Sequence, residues 1–351
     1  MKILIVKNKR IGDVLVASIV ANNLKKIYPQ SHITFLCYDY AAPVLLHNPN
    51  IDFIWIINDK ELKKGFTIFK LSSEIKNQKF DLIVDLYVKL QSQLISLLSG
   101  SKRRVGFEKK VIPFAYTDKV PFLKNKISTY GKAIDDRLNV LRYLNNQIDY
   151  DAYPKLYLTK SELKQGSDLL ASHGFDFSKK SVMIGVLGSN PTKSLPLDTV
   201  AKIIDHLTAN YDLQILFNYI PSQRPLVDQL LKKIKNTSKI FPEILGADIR
   251  EFIVIMSHID FLIANEGGAV HIAKALNKPT FTIYSPYVNK EHWATFEDGN
   301  QNQSIHLNEC KPELFELLNS KEVKKETQNL YSQFSASEII LKMDAFLTEF
   351  Y

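Results

Sequence analysis

Cysteine is almost missing from this chain: Cys37 and Cys310 are the only two in 351 residues. That excludes a disulfide scaffold and a cysteine-built zinc site, and it suits a reducing compartment. Long apolar runs are missing as well. The opening MKILIV is short and runs into Lys7, Lys9 and Arg10, which fits neither a secretory signal nor a spanning helix. No later run approaches the roughly 20 apolar residues that a membrane crossing needs. There is no G-x-G-x-x-G fingerprint, so dinucleotide binding of that kind is not expected. His258, His292 and His306 lack ligand-like spacing, and neither an aromatic–basic RNA motif nor a helix-turn-helix signature is found, which argues against a nucleic-acid partner. A soluble, cytoplasmic protein is the expectation.

What is present is ordinary globular material. Hydrophobic residues at 45% and charged residues at 23% exclude disorder, collagen and coiled coil as the main architecture. The length is too great for one ordinary core and suits two domains of roughly 150 residues. The net charge of +8 is uneven: residues 1–150 carry 24 Lys+Arg against 13 Asp+Glu, and residues 151–351 carry 21 against 24. A basic first half suits an anionic partner, whether nucleic acid, a phosphorylated small molecule or a membrane surface. A solvated lysine-rich surface explains the same numbers.

Both halves alternate between short apolar runs and helical periodicity, the pattern of parallel strands joined by crossover helices. Strands are expected at 2–6, 33–37, 53–57 and 82–84, then at 182–186, 213–217, 261–264 and 280–283. Helices are expected from Asp13 to Tyr28, near 66–78, 88–99 and 129–145, and at 161–173, 197–209, 222–235, 247–257 and 268–276. The organisation that follows is α/β, with one Rossmann-like domain over 1–155, a second over 156–334, and a terminal amphipathic helix over 335–351 packing back toward the first domain.

Three constellations carry chemistry. Lys7-Asn8-Lys9-Arg10-Ile11-Gly12-Asp13 follows the first strand and opens the first helix, at the sheet edge where α/β folds bind ligands. Gly12 permits a tight turn. Asp13 reads either as a simple helix cap or as a carboxylate available as a base, and Lys7 and Arg10 supply positive charge beside it. Ala264-Asn265-Glu266-Gly267-Gly268-Ala269-Val270-His271 runs from a strand end through two glycines into a helix. Free N–H groups at such a helix start form an anion site, and Glu266 can accept hydrogen bonds from sugar hydroxyls. His271, one turn in, reads equally as a packed residue. Gly188-Ser189-Asn190-Pro191-Thr192-Lys193-Ser194 lacks the second glycine of a P-loop, yet Lys193 can neutralise a phosphate as a point charge or stand as a surface lysine. The D-x-D of Asp149-Tyr150-Asp151 falls in the linker and reads as incidental.

Together these segments resemble glycosyltransferase family 9, the bacterial ADP-heptose lipopolysaccharide heptosyltransferases. The resemblance rests on the Ile11–Val14 turn, the Asp135-Asp136-Arg137 helix, Lys193, and the turn Asn265–His271 with Ala273, Ala275, Leu276 and Pro279. It implies a GT-B fold, with two Rossmann-like domains facing a central cleft. The acceptor would lie on the first domain at Lys7, Arg10 and Gly12. The nucleotide-sugar would lie on the second at Gly188, Glu266, Gly267, Gly268, Ala269, Val270 and His271. It further implies inverting, metal-independent transfer of heptose from ADP-heptose to the lipopolysaccharide inner core, with Asp13 and Lys193 as catalytic residues and no cofactor. The acceptor would be an anionic lipid-linked saccharide, met at the inner face of the inner membrane. Where the family shows an aspartate and a hydroxyl residue, this chain has Glu266 and Gly267. Another nucleotide-sugar donor, or a capsule or O-chain acceptor, is therefore the alternative. A non-enzymatic sugar-nucleotide binding protein is the second alternative.

Overall fold

The computed structural model describes residues 1–62, 65–109 and 111–351. Two units emerge, Met1–Tyr157 and Leu158–Tyr351. In the first, six strands form one parallel sheet: β1 (Lys2–Val6), β2 (His32–Tyr38), β3 (Phe53–Ile57), β4 (Leu82–Asp85), β5 (Arg103–Phe107) and β6 (Asp118–Val120). Their spatial order is β3-β2-β1-β4-β5-β6. The central strands read as continuous Ile, Leu and Val because both faces are covered by helices, and Ile3 to Val6 and Leu82 to Val84 are fully buried. The helix Ile11–Ile27 buries Gly12 and every residue from Val14 to Leu24, packing against the Lys132–Leu144 helix.

The second unit repeats this plan without repeating the sequence. Its strands are β7 (Ser181–Gly185), β8 (Gln214–Asn218), β9 (Ile240–Phe241), β10 (Phe261–Asn265), β11 (Thr280–Tyr284) and β12 (Asn302–His306). The order β12-β11-β10-β7-β8-β9 is the same winding as in the first sheet. In both units the chain lays three strands to one side, then returns to the first strand and builds outward on the other. The reversal falls between β1 and β4 and between β7 and β10, and such switch points are where open α/β sheets bind ligands.

The eight strands expected from apolar runs are all present. Four more, β5, β6, β9 and β12, lie at or next to the sheet margins. Margin strands tolerate polar residues such as Arg103, Arg104 and Gln303, so no apolar run marks them. The first unit extends to Tyr157 because Asp151 is stitched to the first helix. Asn23 Nδ2 donates to the Asp151 carbonyl at 2.8 Å, and the Asp151 N–H donates to Asn23 Oδ1 at 2.9 Å. The terminal helix Ala336–Phe350 departs from expectation. Its buried side chains Ile339, Met343, Phe346 and Leu347 belong to the core of the second unit, against the Leu197–Asn210 helix. They complete the apolar face of the second sheet, where Phe346 lies 6.1 Å from Phe261 and 5.8 Å from Phe281 between ring centroids.

Candidate active site

The first cluster forms at the carboxyl ends of β1 and β4, where Val6 and Asp85 stand side by side in register. The chain leaves β1 through Lys7 and Asn8 and enters the helix from Arg10, whose φ of 66° is left-handed backbone that a non-glycine residue adopts at a cost. The Arg10 N–H donates to the Tyr40 hydroxyl at 3.4 Å. This turn makes Asp13 the third helical residue, not the cap. Asp13 Oδ1 instead receives Lys7 Nζ at 3.2 Å and Arg137 Nη2 at 3.0 Å, with all three side chains largely buried.

Arg137 comes from the Lys132–Leu144 helix, and its neighbours fix it there. Asp135 accepts from the Ile127 and Ser128 N–H groups at 2.8 and 3.1 Å, and Asp136 accepts from the Leu123 N–H at 2.9 Å. The two aspartates thus tie down the preceding loop. Arg137 Nη1 donates to the Ala133 carbonyl at 2.7 Å, and Nη2 remains for Asp13. Lys7 lies 5.8 Å from the Tyr87 ring centroid. Burial holds its ammonium below the ordinary lysine value, and the Asp13 carboxylate opposes that shift. Asp85 is fully buried and accepts from Tyr116 Oη at 2.6 Å and from the Tyr87 and Val88 N–H groups at 2.9 and 3.0 Å; burial pushes its carboxyl up and these donors pull it back.

The second cluster forms at the carboxyl ends of β7 and β10. Gly188 lies in the loop after β7, and a Cβ there would sit 2.0 Å from the Lys193 carbonyl oxygen. Glycine is therefore required for the loop to fold back on itself. The Ser194 hydroxyl accepts from the Gly188 N–H at 2.9 Å and closes the turn. Lys193 Nζ then reaches Glu266 Oε1 at 2.8 Å. The other oxygen of Glu266 accepts from the Ser285 N–H at 3.0 Å, and Ser285 Oγ donates to the Thr192 carbonyl at 2.6 Å. Glu266 thus joins the loops after β7, β10 and β11. Burial raises its carboxyl above the usual range, and Lys193 partly offsets that.

Beyond Glu266 the backbone is extended at Gly267 and helical from Gly268 to Ala275. A Cβ at Gly267 would meet open space. The first N–H groups of this helix, at Gly268, Ala269 and Val270, have no carbonyl one turn earlier to bond, which is the general basis of anion sites at helix starts. The Val270 side chain is buried in the unit, so only its backbone can meet a ligand. The His271 ring stands edge-on to Trp293, with centroids 6.4 Å apart.

The family model for glycosyltransferase family 9 (heptosyltransferase) matches residues 68–323. The chain belongs to this family. It is 21% identical over 313 residues to the lipopolysaccharide core heptosyltransferase OpsX of Haemophilus influenzae, covering 88% of this chain and 86% of that protein. Among solved structures, the family 9 glycosyl transferase from Veillonella parvula superposes with a TM-score of 0.82 at 18% identity, covering 99% of this chain and 97% of that one. The Escherichia coli heptosyltransferase WaaC with ADP gives 0.69 at 14% identity, covering 98% and 99%. The fold is GT-B, built from two Rossmann-like units, and the family 9 chain is a glycosyltransferase.

Within this family 9 protein, each group of sequence-predicted residues assembles in its own unit. Lys7, Arg10, Gly12 and Asp13 gather at the first switch point, and Gly188, Lys193, Glu266, Gly267, Gly268, Ala269, Val270 and His271 at the second. Three details differ from expectation. Lys7 pairs with Asp13 and is not an open acceptor cation. Both oxygens of Glu266 are engaged by protein groups, whereas a sugar-binding role foresaw them open. Gly188 is explained by loop closure. Arg137 is the main residue that the motif reading did not assign to the site; it reaches Asp13 across 124 positions of chain, and no local spacing signals that contact. Asp85 carried a local signal, a lone carboxylate at the end of an apolar strand. Asp151 of the linker D-x-D pairs with Lys155 at 2.6 Å, which supports the incidental reading. Among the described residues no group of three or more His, Cys, Asp or Glu side chains could hold a metal ion, and no helix is long and apolar enough to cross a membrane.

Proposed function

We propose that this protein transfers heptose from ADP-heptose to an anionic, lipid-linked saccharide of the lipopolysaccharide core, with inversion and without a protein-held metal. The observation that carries the reading is the Asp13 carboxylate, held by Lys7 and Arg137 at the switch point of the first sheet. In this scheme the acceptor hydroxyl oxygen attacks the anomeric carbon of the donor. The bond from that carbon to the diphosphate oxygen breaks, its electron pair leaves with ADP, and Asp13 takes the hydroxyl proton. Lys193 and the N–H groups of Gly268, Ala269 and Val270 stabilise the charge growing on the diphosphate. In this reading the protein works in the cytoplasm and meets its acceptor at the inner face of the inner membrane.

Several family relatives are named as heptosyltransferases, which supports heptose as the sugar. Gly267 favours a second reading, a different nucleotide-sugar, because the space beside it is open where the family carries a hydroxyl residue. A donor panel read by product mass, in the presence of excess EDTA, separates the two. Transfer from ADP-heptose alone supports the first, and transfer only from another nucleotide-sugar supports the second. Activity lost to EDTA and restored by Mg²⁺ or Mn²⁺ would remove the metal-free step. Asp13→Asn should lower turnover by about 10²–10⁴-fold while leaving ADP affinity unchanged, the usual scale of a general base.

A further inference from the structure

Three segments of the first unit expose large apolar side chains beside lysines. Phe66 and Phe69, 82% and 60% exposed, open the Gly65–Gln78 helix, and Leu90, 55% exposed, opens the Leu90–Leu98 helix. Phe114, 80% exposed, lies in the loop after β5. Hydrogen bonds join the three. Gln91 Nε2 donates to the Leu62 carbonyl at 3.3 Å, just before the first of these helices, and the Ile112 N–H donates to Gln93 Oε1 at 2.7 Å. All three segments leave the carboxyl ends of their strands β3, β4 and β5, the same sheet edge from which Asp13 leaves β1.

Lys60, Lys70, Lys76, Lys89 and Lys109 are exposed on these segments, with Glu74, Glu108 and the half-buried Asp59 as the acids described there. Lys109 is held below its ordinary value, first by burial and then by the neighbouring Lys89 ammonium. Singly scattered apolar side chains are normal on a protein surface, but rings grouped on hydrogen-bonded segments among lysines match the interfacial zone of an anionic bilayer, where rings enter the acyl boundary and ammonium groups meet phosphates. A two-fold contact between copies through this face would set its lysines against their own equivalents.

We propose that this face of the first unit docks on an anionic lipid bilayer. Its biological sense rests on the lipid-linked acceptor proposed above, since docking at this edge would bring Asp13 to the level where such an acceptor emerges. Flotation of the full chain with vesicles tests it. Binding is expected to phosphatidylglycerol-containing vesicles and to fall by about tenfold or more in phosphatidylcholine alone. Phe66→Ser with Phe114→Ser, and separately Lys89→Glu with Lys109→Glu, should each lower binding by about tenfold, with thermal unfolding unchanged because all four side chains are exposed. No binding to the anionic vesicles, or binding by both variants as strong as that of the wild type, overturns the proposal. So does a lipid-free dimer that either variant dissociates, which would assign the face to a second copy. Transfer to a soluble, lipid-free acceptor fragment should be the same in the variants as in the wild type. Vesicle binding without transfer to any acceptor would sink the enzymatic reading and leave the docking face standing.

Discussion

At the residue scale, Lys193, on the loop after β7, is already balanced by Glu266 at 2.8 Å. A diphosphate arriving at Gly268 meets a neutral pair plus the helix N-terminus, so it must compete with Glu266 for the ammonium. Removing that competition should strengthen binding. Glu266→Gln is expected to tighten ADP binding by about tenfold, the scale of one charge-assisted contact near 1.5 kcal/mol. Burial raises the Glu266 carboxyl above its ordinary value. The folded protein therefore takes up this proton more readily than the unfolded chain, and the associated stability is present at low pH and lost as pH rises through the folded value. Protonation mimics the glutamine. Wild-type ADP affinity should thus rise as pH falls from neutrality, by more than that of Glu266→Gln. Titration calorimetry at several pH values checks this, and parallel pH profiles in the two proteins would remove Glu266 from the anion balance.

At the element scale, the loop after β7 and the turn after β10 use glycine for opposite reasons. At Gly188 a side chain has nowhere to go, because a Cβ would lie 2.0 Å from the Lys193 carbonyl oxygen. At Gly267 the same Cβ meets nothing within 4 Å, and the φ of 165° is extended backbone that any residue adopts. Gly188→Ala should therefore displace the loop, unseat Lys193 and weaken ADP binding, at a stability cost of about 1–3 kcal/mol typical of overpacking. Gly267→Ala should fold and melt as wild type, and any effect it has should appear only with ligand. Paired melting curves and ADP titrations distinguish the two. A Gly188→Ala protein that binds ADP normally would show that this loop does not meet the nucleotide.

At the scale of the whole molecule, each unit carries its own sheet and core, and the chain's last helix is part of the second. Phe346 is fully buried against Phe261 and Phe281. Phe346→Ala should remove about 3–5 kcal/mol from the second unit, the usual cost of an unfilled aromatic site. In urea unfolding followed by probes in each unit, the transition of the second should move to lower denaturant while that of the first stays in place. A shift of the first unit alone would return the helix to the place expected from the sequence pattern.

The two-domain α/β organisation was legible in the sequence because buried parallel strands must be apolar on both faces, and a run such as Ile3–Val6 meets that need. The turns after β1 and β10 were legible too, since short segments carrying Gly12-Asp13 and Gly267-Gly268 lead from each apolar strand into a helix. The strands β5, β6, β9 and β12 were not, because they are short or carry polar residues such as Arg103, Asn302 and Gln303 and so form no apolar run. Nor were the pairings that define each cluster: Arg137 with Asp13, Glu266 with Ser285, and the seat of the terminal helix in the second core. Those contacts join residues far apart in the chain. An ion pair or a packed ring depends on how strands order themselves in a sheet, so only the tertiary structure decides which charge meets which.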